Sequence, residues 1–123
     1  VAQCTTASDK LRALGRAAVE ISRLLEGYFG LFLELWASSS QREETAQFWL
    51  SALEQYMGIV VGIVEGGVEN GEFKPVDAEP LAWAMMAAYD GLAAYAMFMP
   101  DLDLERISRV FVETLLHGLE IEE

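Results

Sequence analysis

Apolar residues recur through this chain at intervals of three and four, and no stretch of clean apolar–polar alternation bounded by turn residues interrupts them. Such spacing gathers side chains on one face of a helix, whereas a half-buried strand needs a period of two. The expected fold class is therefore all-α, an antiparallel bundle of about five helices with no strand. Hydrophobic residues make up 53% of the 123 and aromatic residues 11%. That is enough apolar surface to offset the chain entropy that keeps polar sequences disordered, and the length suits one domain over residues 1–123.

Five segments carry the pattern. Ser8-Asp9 offers an N-cap for a first helix whose stripe runs Leu11, Leu14, Ala18, Ile21, Leu24 and Leu25 as far as Gly27. Residues 28–37 are apolar nearly all round, with Glu34 the one charge, as in a short helix buried on most faces. Ser40 and Glu43 then form a capping box for a third helix, which carries Phe48, Trp49, Ala52, Leu53, Tyr56, Val60, Ile63 and Val64 to a left-handed C-cap at Asn70-Gly71. Along it Gly58, Gly62 and Gly66 lie four apart, a spacing that suggests a face another helix approaches closely. Residues 72–75 read as an extended link, because the residue before Pro75 avoids helical angles. Asp77 caps a fourth helix that ends at Phe98 or Met99, before Pro100, and Asp103 caps a fifth with the stripe Leu104, Ile107, Phe111, Thr114, Leu115 and Gly118.

Charge and chemistry exclude several functions. The formal net charge is −12, and residues 43–123 carry 16 acidic against 3 basic groups; a phosphate backbone is held mainly by Lys and Arg, so this chain by itself is not expected to contact DNA. Nucleophilic catalysis needs a base beside the nucleophile, and the one histidine, His117, has Cys4 at the far end of the chain. No enzyme is expected, and His117 reads best as a cation at the C-terminal end of a helix dipole. Residue 114 is Thr, not the Glu that a Glu-x-x-His metal motif would place there, so neither metal nor cofactor is expected. Residues 65–71 lack the Lys and preceding strand of a phosphate loop. Residues 81–99 are long enough to span a bilayer, but they are rich in Ala and Gly, hold a central Asp90 and have acidic flanks, all of which argue against insertion. A single cysteine fits the cytoplasm, and the start at Val1, with neither an initiating Met nor a targeting pattern, reads as a cut end.

Three features point toward binding. Phe29, Phe32, Trp36, Trp49, Tyr56, Trp83, Met86 and Tyr89 fall on inward stripes of three helices, where large rings and thioethers fit either a core or the wall of an apolar ligand pocket. Asp90 is a carboxylate within an apolar helix, to be paired with a neighbouring helix or turned to a pocket or subunit boundary. The last two helices are apolar on more than one side, and Gly91, Ala93 and Ala94 permit close approach, so a two-fold helical interface is expected.

The runs Phe32-Leu33-Glu34-Leu35-Trp36-Ala37, Val68-Glu69-Asn70-Gly71-Glu72-Phe73-Lys74-Pro75, Asp90-Gly91-Leu92 and Asp101-Leu102-Asp103-Leu104-Glu105 stand in this order. They resemble the C-terminal regulatory domain of TetR-type transcriptional repressors, over about residues 20–119. The resemblance implies a homodimer with Gly91, Ala94, Tyr95, Phe98, Ile107, Phe111, Thr114 and Leu115 at its interface. It implies a small hydrophobic or aromatic effector, neutral or cationic, bound among the aromatic residues of the earlier helices. It also implies that the effector modulates DNA binding through an N-terminal helix-turn-helix domain absent from this chain. The alternative is a helical protein–protein interaction module with no small-molecule site.

Overall fold

The computed structural model describes residues 5–24, 31, 34, 37, 38 and 43–121, with the side chains of Thr45 and Trp49 outside that description. Four helices are delimited among the described residues: α1 (Ala7–Leu24), α2 (Glu43–Glu69), α3 (Ala78–Phe98) and α4 (Leu104–Leu119). The fold is all-α, and pairing across the chain is confined to one isolated antiparallel bridge between Phe73 and Glu120 among the described residues. The helix expected over 28–37 falls mostly outside them.

The first helix starts earlier than its sequence signal. Thr6, not Ser8, acts as the cap: its hydroxyl accepts from the Asp9 amide at 3.0 Å, while Ser8 sits inside the helix and donates to Glu120 at 3.0 Å. A second cap comes from far along the chain, because both carboxylate oxygens of Glu72 accept from the Ala7 amide at 3.1 Å. A carboxylate at this end also meets the positive pole of the helix dipole. The buried face of α1 is Ala7, Ser8, Leu11, Gly15 and Val19, so only Leu11 of the expected stripe is fully buried, and Ile21 and Leu24 are exposed. The buried face lies a step aside from the apolar stripe because its middle position is a glycine, which adds nothing to a hydrophobic pattern.

Gly15 has a packing reason. A Cβ there would meet the Tyr89 hydroxyl at 2.7 Å and Ser108 and Val112 at 3.1 Å, so α3 and α4 approach α1 where it has no side chain. Gly67 plays the same part for α2, where a Cβ would overlap the ring of Phe73. By contrast, Gly58, Gly62 and Gly66 have nothing within 4 Å of such a Cβ among the described residues, so the regular spacing did not mark the contact.

Helix α2 ends as expected, at Gly71 with φ +86°, in the left-handed region that glycine adopts at little cost. The link after it turns inward: the Glu72 and Phe73 amides both donate to the Gly67 carbonyl at 2.9 Å, and Phe73 is 1% exposed. The Lys74 amide donates to Leu119, and the Ile121 amide to Glu72, tying the end of α4 to the link. Of the two aspartate caps, Asp103 accepts from the Arg106 amide at 3.2 Å, whereas Asp77 makes no side-chain cap bond. Among the described residues the buried core is mostly aliphatic and thioether, with Leu11, Met57, Val60, Ile63, Val64, Ala82, Met85, Val112 and Leu116 around the ring of Phe73. The buried face of α4 is Ser108, Val112, Leu116 and Leu119, a position round from the expected stripe.

Candidate functional site

Helices α1 and α4 run antiparallel, a direction fixed by two ion pairs. Arg12 donates to Glu113 through Nε at 2.8 Å and through Nη2 at 3.0 Å, and Arg23 pairs with Glu105 near the other end. Between these clamps lies a cavity of about 790 Å³, within the range of small-molecule sites. Its α1 wall is Arg12, Arg16, Val19, Glu20, Arg23 and Leu24, and its α4 wall is Glu105, Ser108, Arg109, Val112 and Glu113.

This wall combines a charged rim with an apolar floor. The Glu113 carboxylate is held below its ordinary pKa by the hydrogen bonds from Arg12, and the same bonds push the Arg12 guanidinium further up. At the back of the floor, Ser108 donates to the Gly15 carbonyl at 3.4 Å and lies 3.2 Å from the Tyr89 hydroxyl. A serine has one proton to give, so Ser108 serves Gly15 and Tyr89 in turn, and either hydroxyl can donate in the Tyr89–Ser108 bond. The Tyr89 ring meets Phe111 edge-on, with centroids 5.7 Å apart.

None of the expected pocket residues that are described, Tyr56, Trp83, Met86 and Tyr89, lines this cavity. Phe29, Phe32 and Trp36 lie outside the described residues, as does the side chain of Trp49. Tyr89 stands one hydrogen bond behind the cavity wall, and Met86 is half-buried against the core. Trp83 and Tyr56 are 44% and 37% exposed, so neither fills the core. Asp90 is not the buried carboxylate expected: its residue is exposed on α3, and among the described residues nothing donates a hydrogen bond to its side chain. Partial desolvation still pushes its pKa above the ordinary value. Burial pushes the Tyr56 phenol up, and the charge on Asp90 adds to that; burial likewise raises Tyr89, against the pull of the Ser108 hydroxyl. Tyr56, Tyr89 and Asp90 are thus within electrostatic reach of one another.

The expected interface residues differ in exposure, and Phe111 and Leu115 also pack against the core. Tyr95 is 62% and Phe98 80% exposed, and Thr114 is exposed; Gly91, Ala94, Ile107, Phe111 and Leu115 are half-buried. An open groove of about 560 Å³ on α4 is lined by Asp103, Arg106, Ile107, Val110 and Phe111. His117 is exposed in the last turn of α4, and no three metal-ligating side chains cluster among the described residues. No helix among them is long and apolar enough to cross a membrane.

The sequence reading missed the arginine–glutamate rim. A signal was present: Arg12, Arg16, Glu20 and Arg23 follow one side of α1, and Glu105, Arg109 and Glu113 stand four apart on α4. Charges at three- and four-residue spacing usually mark a solvated face, which is why they drew no attention.

The described helices form an all-α bundle with a cavity between the first and the last of them. The family described as BetI-type transcriptional repressor, C-terminal, matches residues 7–119, and the chain belongs to that family of TetR-type C-terminal domains. Neither a curated protein nor a solved structure gave a significant match.

Proposed function

We propose that this chain is the effector-sensing and dimerising part of a TetR-type repressor, working in the cytoplasm on DNA through a helix-turn-helix module joined ahead of α1. The observation that carries the reading is the α1–α4 cavity, one wall of which is α1 itself. A ligand seated there contacts the element through which such a module would be moved. It shifts α1 only to the extent that it binds two arrangements of the helix unequally. The effector is a small molecule with an apolar body, resting on Val19, Leu24 and Val112, with Tyr89 setting the back wall through Ser108. The second part of the reading is a homodimer through the exposed side of α3 and α4, with Tyr95, Phe98, Ile107 and Phe111 covered by the same residues of a second copy.

Thermal melting of the chain against a panel of small amphiphiles and neutral aromatics tests the sensing role. A ligand at a hundred times its Kd stabilises the folded state by about 2.7 kcal/mol, enough to raise Tm by several degrees. If no member of the panel moves Tm, the cavity is not an effector site for these classes. Light scattering on the same sample separates a homodimer from an interaction module that stays monomeric until it meets a foreign partner.

A further inference from the structure

The chain has eight basic residues, and four of them, Arg12, Arg16, Arg23 and Arg109, line the α1–α4 cavity. Two are neutralised: Arg12 by Asp9 and Glu113, and Arg23 by Glu105. The other two are not. Among the described residues no carboxylate lies within ion-pair distance of Arg16 or Arg109, although the chain carries twenty acidic side chains. Glu20, on the same wall as Arg16, is the one remaining charge on the rim, and it pairs with neither.

Register brings the two free guanidiniums level with each other. Arg12 faces Glu113 and Arg23 faces Glu105, so in an antiparallel pair Arg16 stands opposite the stretch from Arg109 to Val112. Two like charges on opposite walls of one groove repel, and no carboxylate has been placed between them. Beneath them are Val19, Leu24 and Val112. The site therefore has a cationic mouth over an apolar floor, on a molecule whose other surfaces are mostly acidic.

Resting on the reading of this cavity as the effector site, we infer that its ligand is an amphiphilic anion, with a carboxylate between Arg16 and Arg109 and an apolar body on Val19, Leu24 and Val112. Planar guanidinium groups suit a carboxylate because they offer it paired, charge-assisted hydrogen bonds. The overall negative charge does not forbid this, since its field is screened within about 8 Å at physiological salt while the two arginines act at contact. A cationic effector, by contrast, meets two unneutralised arginines at the mouth.

Three probes with one tail and different heads test the inference on the 123-residue chain: decanoate, decanol and decyltrimethylammonium, each below its micelle concentration. Decanoate is expected to bind at least about tenfold more tightly than the other two. Arg16→Gln and Arg109→Gln are each expected to weaken decanoate about tenfold while leaving decanol unchanged, as for loss of one charge-assisted contact. Both arginines are exposed, so neither change threatens the fold, and circular dichroism checks this. Decanol or the cation binding as tightly as decanoate, or decanoate indifferent to both substitutions, overturns the anion while leaving a binding cavity in place. Binding by none of the three overturns both.

Discussion

Gly67 and Phe73 show how much of this fold rests on single atoms. The Phe73 ring, 1% exposed, lies where the Cβ of any other residue at 67 would stand, and that Cβ would also crowd Ala7 at 2.9 Å. Gly67→Ala gains about 1 kcal/mol of helix propensity, but forcing a buried ring aside costs more. A net loss of about 2 kcal/mol is expected in urea unfolding. Gly15→Ala is milder because the obstacle is a phenolic oxygen; in a Tyr89→Phe background, which removes that oxygen, its cost should fall to well under half, a coupling that a double-mutant cycle reads directly. Asp90 gives a pH signature. Its folded pKa is raised by desolvation, so the folded state holds the proton more tightly, and the contribution to stability is full below the unfolded value and is lost as pH rises through the folded one. Asp90→Asn should therefore flatten the stability profile on the alkaline side of the ordinary aspartate range. It should also be slightly stabilising at pH 7, by roughly a few tenths of a kcal/mol given the exposure of the site.

Helix ends and helix faces were legible to different degrees. Periodicity and punctuation predicted α3 and α4 to within about two residues at each end and α2 at its C-terminal end, while its expected start at Ser40 lies outside the described residues; Asp103 proved a working cap. Asp103→Ala should cost about 1 kcal/mol, whereas Asp77→Ala, which removes no cap bond, should cost no more than a few tenths; chemical denaturation of the pair distinguishes them. The inward face was harder to read. On α4 it passes through Ser108, and on α1 through Ser8 and Gly15, residues that a search for apolar stripes passes over. What fills those positions is contact across the chain: Ser8 to Glu120, Ser108 to Gly15, and α1 capped by Glu72. Such partners sit up to 112 positions apart, and no local pattern announces them. The cavity rim was hidden for a related reason, since a row of charges on one helix means little until its complement on the other is known.

For the molecule as a whole, the apolar side of α3 and α4 leads to an expected homodimer in solution. Phe98, 80% exposed, touches little of its own core, so Phe98→Glu should return a helical monomer of unchanged circular dichroism and half the scattering mass. A variant that stays dimeric would move the interface elsewhere. The fastening of α1 has a mechanical corollary. Its first turn is gripped by Glu72 and Glu120 and its last turn, among the described residues, only by the exposed Arg23–Glu105 pair, so on the proposed reading a ligand that widens the cavity would strain that pair first and leave the first turn as the hinge. Over a lever of about 24 Å, set by the rise per residue, each ångström of widening at the Arg23 end would become roughly two degrees of tilt. On that reading the fulcrum lies at the end that would carry a neighbouring module, and the signal delivered there would be a change of angle with very little travel.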